Sequence, residues 1–199
     1  LTILPSIIAV FSAHYPNLHV DIRMASAQEA IAMVVDSDVD IGFTFLAAQH
    51  RGIEIAVRRD LPIGAVMRAD HPLAGEMRPS FATCFAHPFA VPRQGLSIRE
   101  ILEPFLDQDG SRGRSFVEVN SIRMLFELAK TGRYLSFMTP LGIERELASG
   151  EVVFRPIADK GLPLNRFGMV IRKGGDLRFA PAAFFNLASS HFRAREGLY

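Results

Sequence analysis

The 199-residue chain has one cysteine, no run of like charge and no long apolar stretch. A lone Cys84 excludes an internal disulfide and a multi-cysteine metal site, and it fits a reducing compartment. With 22 basic and 21 acidic residues, the net charge of +1 gives no global drive toward nucleic acid. If a parent protein binds DNA, this segment is not the part expected to do so. No eighteen-residue apolar window exists to span a membrane. The first residues carry no signal-peptide pattern, and Leu1 stands where a complete chain would open with methionine.

Catalytic signatures are missing too. There is no G-x-S-x-G elbow, H-E-x-x-H, Walker loop or G-x-G-x-x-G, and no carboxylate pair is placed for acid–base work. Cys84 and His87 lie three apart, but a zinc site needs two further ligands. No cofactor and no metal are expected, and the chain does not read as an enzyme.

What is present is an alternation of apolar strands and amphipathic helices in an ordinary soluble composition. Helices are predicted over 1–14, 26–35, 80–86, 97–105, 121–130, 141–148 and 182–194. Strands are predicted over 18–24, 40–45, 53–58, 63–68, 89–91, 115–119, 135–138, 152–154 and 167–172, with a polar loop over 108–114. Helices between strands imply mostly parallel sheets. The alternation stalls at 53–68 and near 167–172, which suggests two crossings between lobes.

Two strand–helix corners carry the binding chemistry. Ser97-Ile98-Arg99-Glu100 and Ser26-Ala27-Gln28-Glu29 both fit a capping box, serine with glutamate three residues on. A strand's carboxyl end feeding a helix amino terminus is where α/β folds bind ligands, and the unpaired N–H groups there suit an anion. The competing reading is that each serine is spent on capping its own helix. Ser26, Ala27, Arg93, Gln94, Ser97 and Asn120 are the corner candidates, and Thr44 and Thr139 sit at predicted strand ends. Arg93 would hold a carboxylate bidentately, whereas the bland alternative is a solvated loop arginine.

The order of short motifs resembles one family. Leu4-Pro5, Phe11, Tyr15-Pro16 and Val20 are similar to the opening of the effector-binding domain of LysR-type transcriptional regulators. Asp38-Val39-Asp40-Ile41-Gly42, His71-Pro72-Leu73-Ala74, Glu118-Val119-Asn120-Ser121 and Glu146–Val153 resemble its later segments. Three features depart from the pattern. The helix-turn-helix is absent, the first strand is absent or shortened with Thr2 near its end, and Tyr134 replaces a usual glycine.

The resemblance implies an α/β fold of two Rossmann-like lobes with a hinge, like type II periplasmic binding proteins. Lobe I would take 1–68 plus 172–199, and lobe II 69–171. It implies a small-molecule inducer between the lobes, a cytoplasmic protein, and a homodimer through helices near Leu4–Phe11 and Ser121–Lys130, with tetramers in the full-length regulator. Promoter DNA would be bound only through a domain outside this chain. An extracytoplasmic solute-binding protein of the same fold is the alternative, and an enzyme on this scaffold a third.

Overall fold

The computed structural model describes residues 3–46, 50–108 and 116–193. In chain order the elements are α1 (Ile3–His14), α2 (Ala27–Val35), β1 (Gly42–Phe45), β2 (Ile53–Leu61), β3 (Gly64–Arg68), α3 (Phe81–Phe85), β4 (Phe89–Pro92), α4 (Ser97–Gln108), β5 (Phe116–Val119), α5 (Ile122–Lys130), β6 (Leu135–Met138), α6 (Glu144–Ser149), β7 (Val152–Pro156), β8 (Asn165–Arg172) and α7 (Phe179–Arg193). The expectations at Thr2, 109–115 and Ala194 lie outside the described residues.

The chain divides into two compact units, Leu1–Asp60 with Arg166–Tyr199, and Leu61–Asn165. The first holds a three-stranded sheet in the order β1-β8-β2, and the second a five-stranded sheet in the order β5-β4-β6-β3-β7. The chain passes between units at 60–61 and 165–166, where the lobe bounds implied by the resemblance were 68–69 and 171–172. β3 belongs to the second sheet, paired with β6 and β7.

The first unit is closed by aromatic packing. Phe11 of α1 meets Phe184 of α7 edge-on at 5.2 Å, and Phe192 stacks on Phe43 at 5.9 Å. Ile7 and Phe11 are buried, as the four-residue spacing of the α1 stripe requires. Arg59 donates to the carbonyl of Phe192, tying β2 to the end of α7. α2 ends at Asp36 with Ser37 in the left-handed region, φ 65°. The N–H of Ser37 bonds Val34 O and that of Asp38 bonds Met33 O, the two bonds of a Schellman motif, here built on serine rather than glycine.

The second unit is organised by phenylalanine. Phe81 packs on Phe85, Phe105 and Phe137 at centroid distances of 5.6, 5.0 and 5.3 Å. Phe81, Phe89, Phe126 and Phe137 are at most 1% exposed, and each such burial contributes roughly 2–3 kcal/mol. Ser136 on β6 donates to Leu125 O at 2.7 Å, which satisfies its buried hydroxyl and locks α5 to the sheet.

Two sequence expectations fail. The sheets are mixed rather than mostly parallel: β1–β8, β3–β6 and β3–β7 are antiparallel, while β4–β5 and β4–β6 are parallel. The β–β stretches place antiparallel neighbours inside each sheet, an outcome that strand–helix alternation does not encode. Residues 18–24 form no strand, because among the described residues the segment has no neighbouring strand with which to form a ladder.

Candidate functional site

In the second unit, three parallel strands end at one edge. Pro92 of β4 lies opposite Val119 of β5, and the N–H of Arg93 continues the ladder to Val119 O at 2.8 Å. Ala90 lies opposite Ser136 of β6. Continuing that register places Thr139 level with Arg93. Arg93, Asn120 and Thr139 thus share the carboxyl edge of the parallel strands. The loop Arg93–Leu96 carries Gln94 and leads into α4. Asn120 immediately precedes Ser121, which caps α5 by accepting from the N–H of Met124.

Ser97 differs from the sequence reading. It is the first residue of α4 rather than its cap, and Ser97 and Glu100 form no capping box among the described residues. The cause lies just upstream: Gly95 takes φ 95°, and the N–H of Leu96 bonds Arg93 O. This turn starts the helix one residue before the spacing predicts. The Ser97 hydroxyl is therefore not spent on capping, and it makes no hydrogen bond among the described residues.

Arg99 braces this corner. Its guanidinium donates to Pro92 O at 3.2 Å, to Glu118 Oε1 at 2.6 Å and to Glu103. Strand β4, strand β5 and helix α4 are joined through one side chain that is only 12% exposed. The Arg99–Glu103 spacing of four residues was a readable signal. The Glu118 contact, nineteen residues away in sequence, was not.

In the first unit, Ser26 caps α2 as the spacing predicts. Its hydroxyl accepts from the N–H of Glu29 at 3.3 Å, and Glu29 Oε2 accepts from the N–H of Ser26 at 2.9 Å. The backbone and side-chain bonds from Ser26 hold the Glu29 carboxyl below the usual carboxylate range. Ala27 opens the helix. Thr44 is buried on β1 opposite Gly168, its hydroxyl donating to Phe45 O at 3.3 Å. A groove of about 490 Å³ in this unit is lined by Leu4, Ile8, Phe11, Val20, Ile22 and Phe43, among others. None of the eight candidate residues lines it.

Cys84 is buried, its thiol pushed up to about 12 by burial and the nearby Glu76 and Asp159 carboxylates. His71 and His87 rings meet at 5.0 Å, and the described residues hold no group of three metal-ligating side chains. No helix among them is long and apolar enough to cross a membrane.

This is the two-lobe α/β fold of type II periplasmic binding proteins. The LysR substrate binding domain family matches residues 1–193, and the chain belongs to that family. It is 24% identical over 181 residues to the RuBisCO operon transcriptional regulator of Allochromatium vinosum, covering 90% of this chain and 59% of that protein. It is 25% identical over 183 residues to the HTH-type transcriptional regulator CbbR of Rhodospirillum rubrum, covering 90% and 58%. The chain thus spans under two thirds of these relatives' length. Among solved structures, the Synechocystis PCC6803 CcmR regulatory domain in complex with 2-PG superposes with a TM-score of 0.73 at 16% identity, covering 94% of this chain and 89% of that one. The effector binding domain of QuiR in complex with shikimate gives 0.71 at 13% identity, covering 96% and 91%.

Proposed function

We propose that this chain senses a small organic acid and passes the signal to an oligomer that controls transcription. The observation that carries the reading is the carboxyl edge of β4, β5 and β6. There the unspent Ser97 hydroxyl, the exposed Arg93, Gln94 and Asn120, and Thr139 share one end of the sheet. A guanidinium next to a helix start suits a carboxylate. Ser26, Ala27 and Thr44 are the candidate contacts of the first unit, considered by themselves. The two named complexes, with shikimate and with 2-PG, support a small acidic ligand. Binding would act by shifting a conformational population, without chemistry.

The relatives are named transcriptional regulators, which favours a sensing role over catalysis and over the solute-binding alternative. A regulator works where the promoter is, so we place the parent protein in the cytoplasm, with DNA bound by a domain beyond these residues. Exposed Val10 on α1 (45%) and Ile122 and Met124 on α5 (38% and 52%) support a homodimer through those helices. Sedimentation of Met124→Glu as the same dimer as the parent chain would refute that interface.

Calorimetric titration with a panel of mono- and dicarboxylates, shikimate and 2-PG tests the site. For an acid that binds, Arg93→Ala is expected to weaken affinity about tenfold or more, and Ser97→Ala and Ser26→Ala by several-fold. Wild-type affinity in both serine variants would sink the assignment.

A further inference from the structure

Arg93 and Glu118 are neighbours across the second sheet, yet they are not paired. The rings of Phe89 and Phe116 stack 5.4 Å apart and 8° from parallel, so opposed residues of β4 and β5 present their side chains together. Val91 lies opposite Glu118, and the bond from Arg93 N–H to Val119 O sets Arg93 opposite Asn120. Alternation puts Phe116, Glu118 and Asn120 on one face, with Val91 and Arg93 beside them. Arg93 and Glu118 are thus diagonal neighbours, their Cα atoms roughly 8 Å apart. Both are exposed.

Two long side chains of opposite charge can meet across that diagonal. Here Glu118 Oε1 instead accepts from Arg99 Nη1 at 2.6 Å. The Arg93 guanidinium makes no hydrogen bond or ion pair among the described residues. Arg99 is the stronger competitor for two reasons. Its side chain is only 12% exposed, so its ion pair is screened less than one made by the exposed Arg93. It is also held at Pro92 O and at Glu103, so engaging Glu118 orders little that is not already ordered.

We propose that Arg99 is a positioning residue for the ligand, an inference that rests on the effector reading of this edge: by holding Glu118, it keeps the Arg93 guanidinium open to an acid. A released Glu118 carboxylate competes with the ligand's carboxylate for the same fork of donors. With Arg99 removed, an exposed pair of ordinary strength occupies Arg93 in about four molecules of five, and the apparent affinity for an acid falls about fivefold.

Phenylglyoxal, which modifies unpaired guanidinium groups, probes Arg93 without any ligand, and peptide mapping by mass spectrometry reads the rate at that residue. In Arg99→Gln the rate at Arg93 is expected to fall about fivefold. Adding Glu118→Gln to that variant should restore the parent rate, and Glu118→Gln alone should leave it unchanged. Arg99→Lys keeps the charge but cannot serve both carboxylates at once. It should give an intermediate rate, and it replaces Arg99→Gln if that variant does not fold. A merely structural brace has the opposite sign: a loosened corner speeds modification of Arg93, and removing Glu118 does not reverse the change. A parent rate in both Arg99 variants would overturn the proposal, as would a slowed rate that Glu118→Gln does not restore. Failure of the effector reading is distinct: Arg93→Ala would then bind acids as tightly as the parent chain, with these modification rates still as expected.

Discussion

Arg99 Nη1 lies 2.6 Å from Glu118 Oε1, joining the first turns of α4 to the end of β5. The same guanidinium reaches Glu103 and the Pro92 carbonyl. A planar fork with several fixed donors can serve three acceptors in different directions, and a lysine ammonium on a flexible stem cannot. Arg99→Lys should therefore cost about 1–2 kcal/mol of stability, measured by urea unfolding. A double-mutant cycle with Glu118→Gln should return a non-zero coupling. Full additivity would show that the pair is solvated and idle.

Gly132 follows α5 with φ 76°, and its N–H bonds Ala129 O. The Arg68 guanidinium lies over it and donates to Thr131 O at 3.3 Å. A methyl group at Gly132 meets both a left-handed backbone and that guanidinium. Gly150 has a similar φ of 74° but open space where a Cβ would go. Gly150→Ala should cost about 1 kcal/mol from the backbone alone, and Gly132→Ala about 2 kcal/mol or more. Equal losses in urea would remove the packing role of Arg68.

The Glu29, Asp60, Asp70 and Glu103 carboxyls all titrate below their ordinary values. The principal causes are the Ser26 backbone bond for Glu29 and the Arg58, Arg68 and Arg99 side chains for the others. The folded chain thus takes up these protons less readily than the unfolded chain. Their stabilisation is present above the ordinary values of 4.5 for Glu and 3.8 for Asp. It is lost as pH falls through the lower folded values. Urea midpoints should hold between about pH 7 and pH 5 and decline between about pH 5 and pH 3. Glu29→Gln should flatten part of that decline. A midpoint that rises toward acid would contradict the capping box as a source of stability.

Much of the fold was legible because its signals are local. The α1 stripe, the Ser26 capping box, the glycine after α5 and the apolar runs at β4 and β6 each sit within one turn or one strand. The corner at Ser97 was located correctly, but its cap was not. A Ser-x-x-Glu spacing cannot report that Gly95 will bend the chain one residue early. Residues 18–24 show the opposite case, a strand pattern without a strand, since pairing requires a neighbour.

The sequence by itself determined the alternation of elements and the residue types at each corner, because periodicity and capping are written in neighbours three or four apart, and the order of its short motifs carried the family resemblance. Only the tertiary structure decided that the Ser97 hydroxyl is unspent, that Arg99 ties three elements together, and that β3 joins the second sheet. Those outcomes depend on contacts between residues far apart in the chain, and strand register and side-chain reach exist only once the chain has folded.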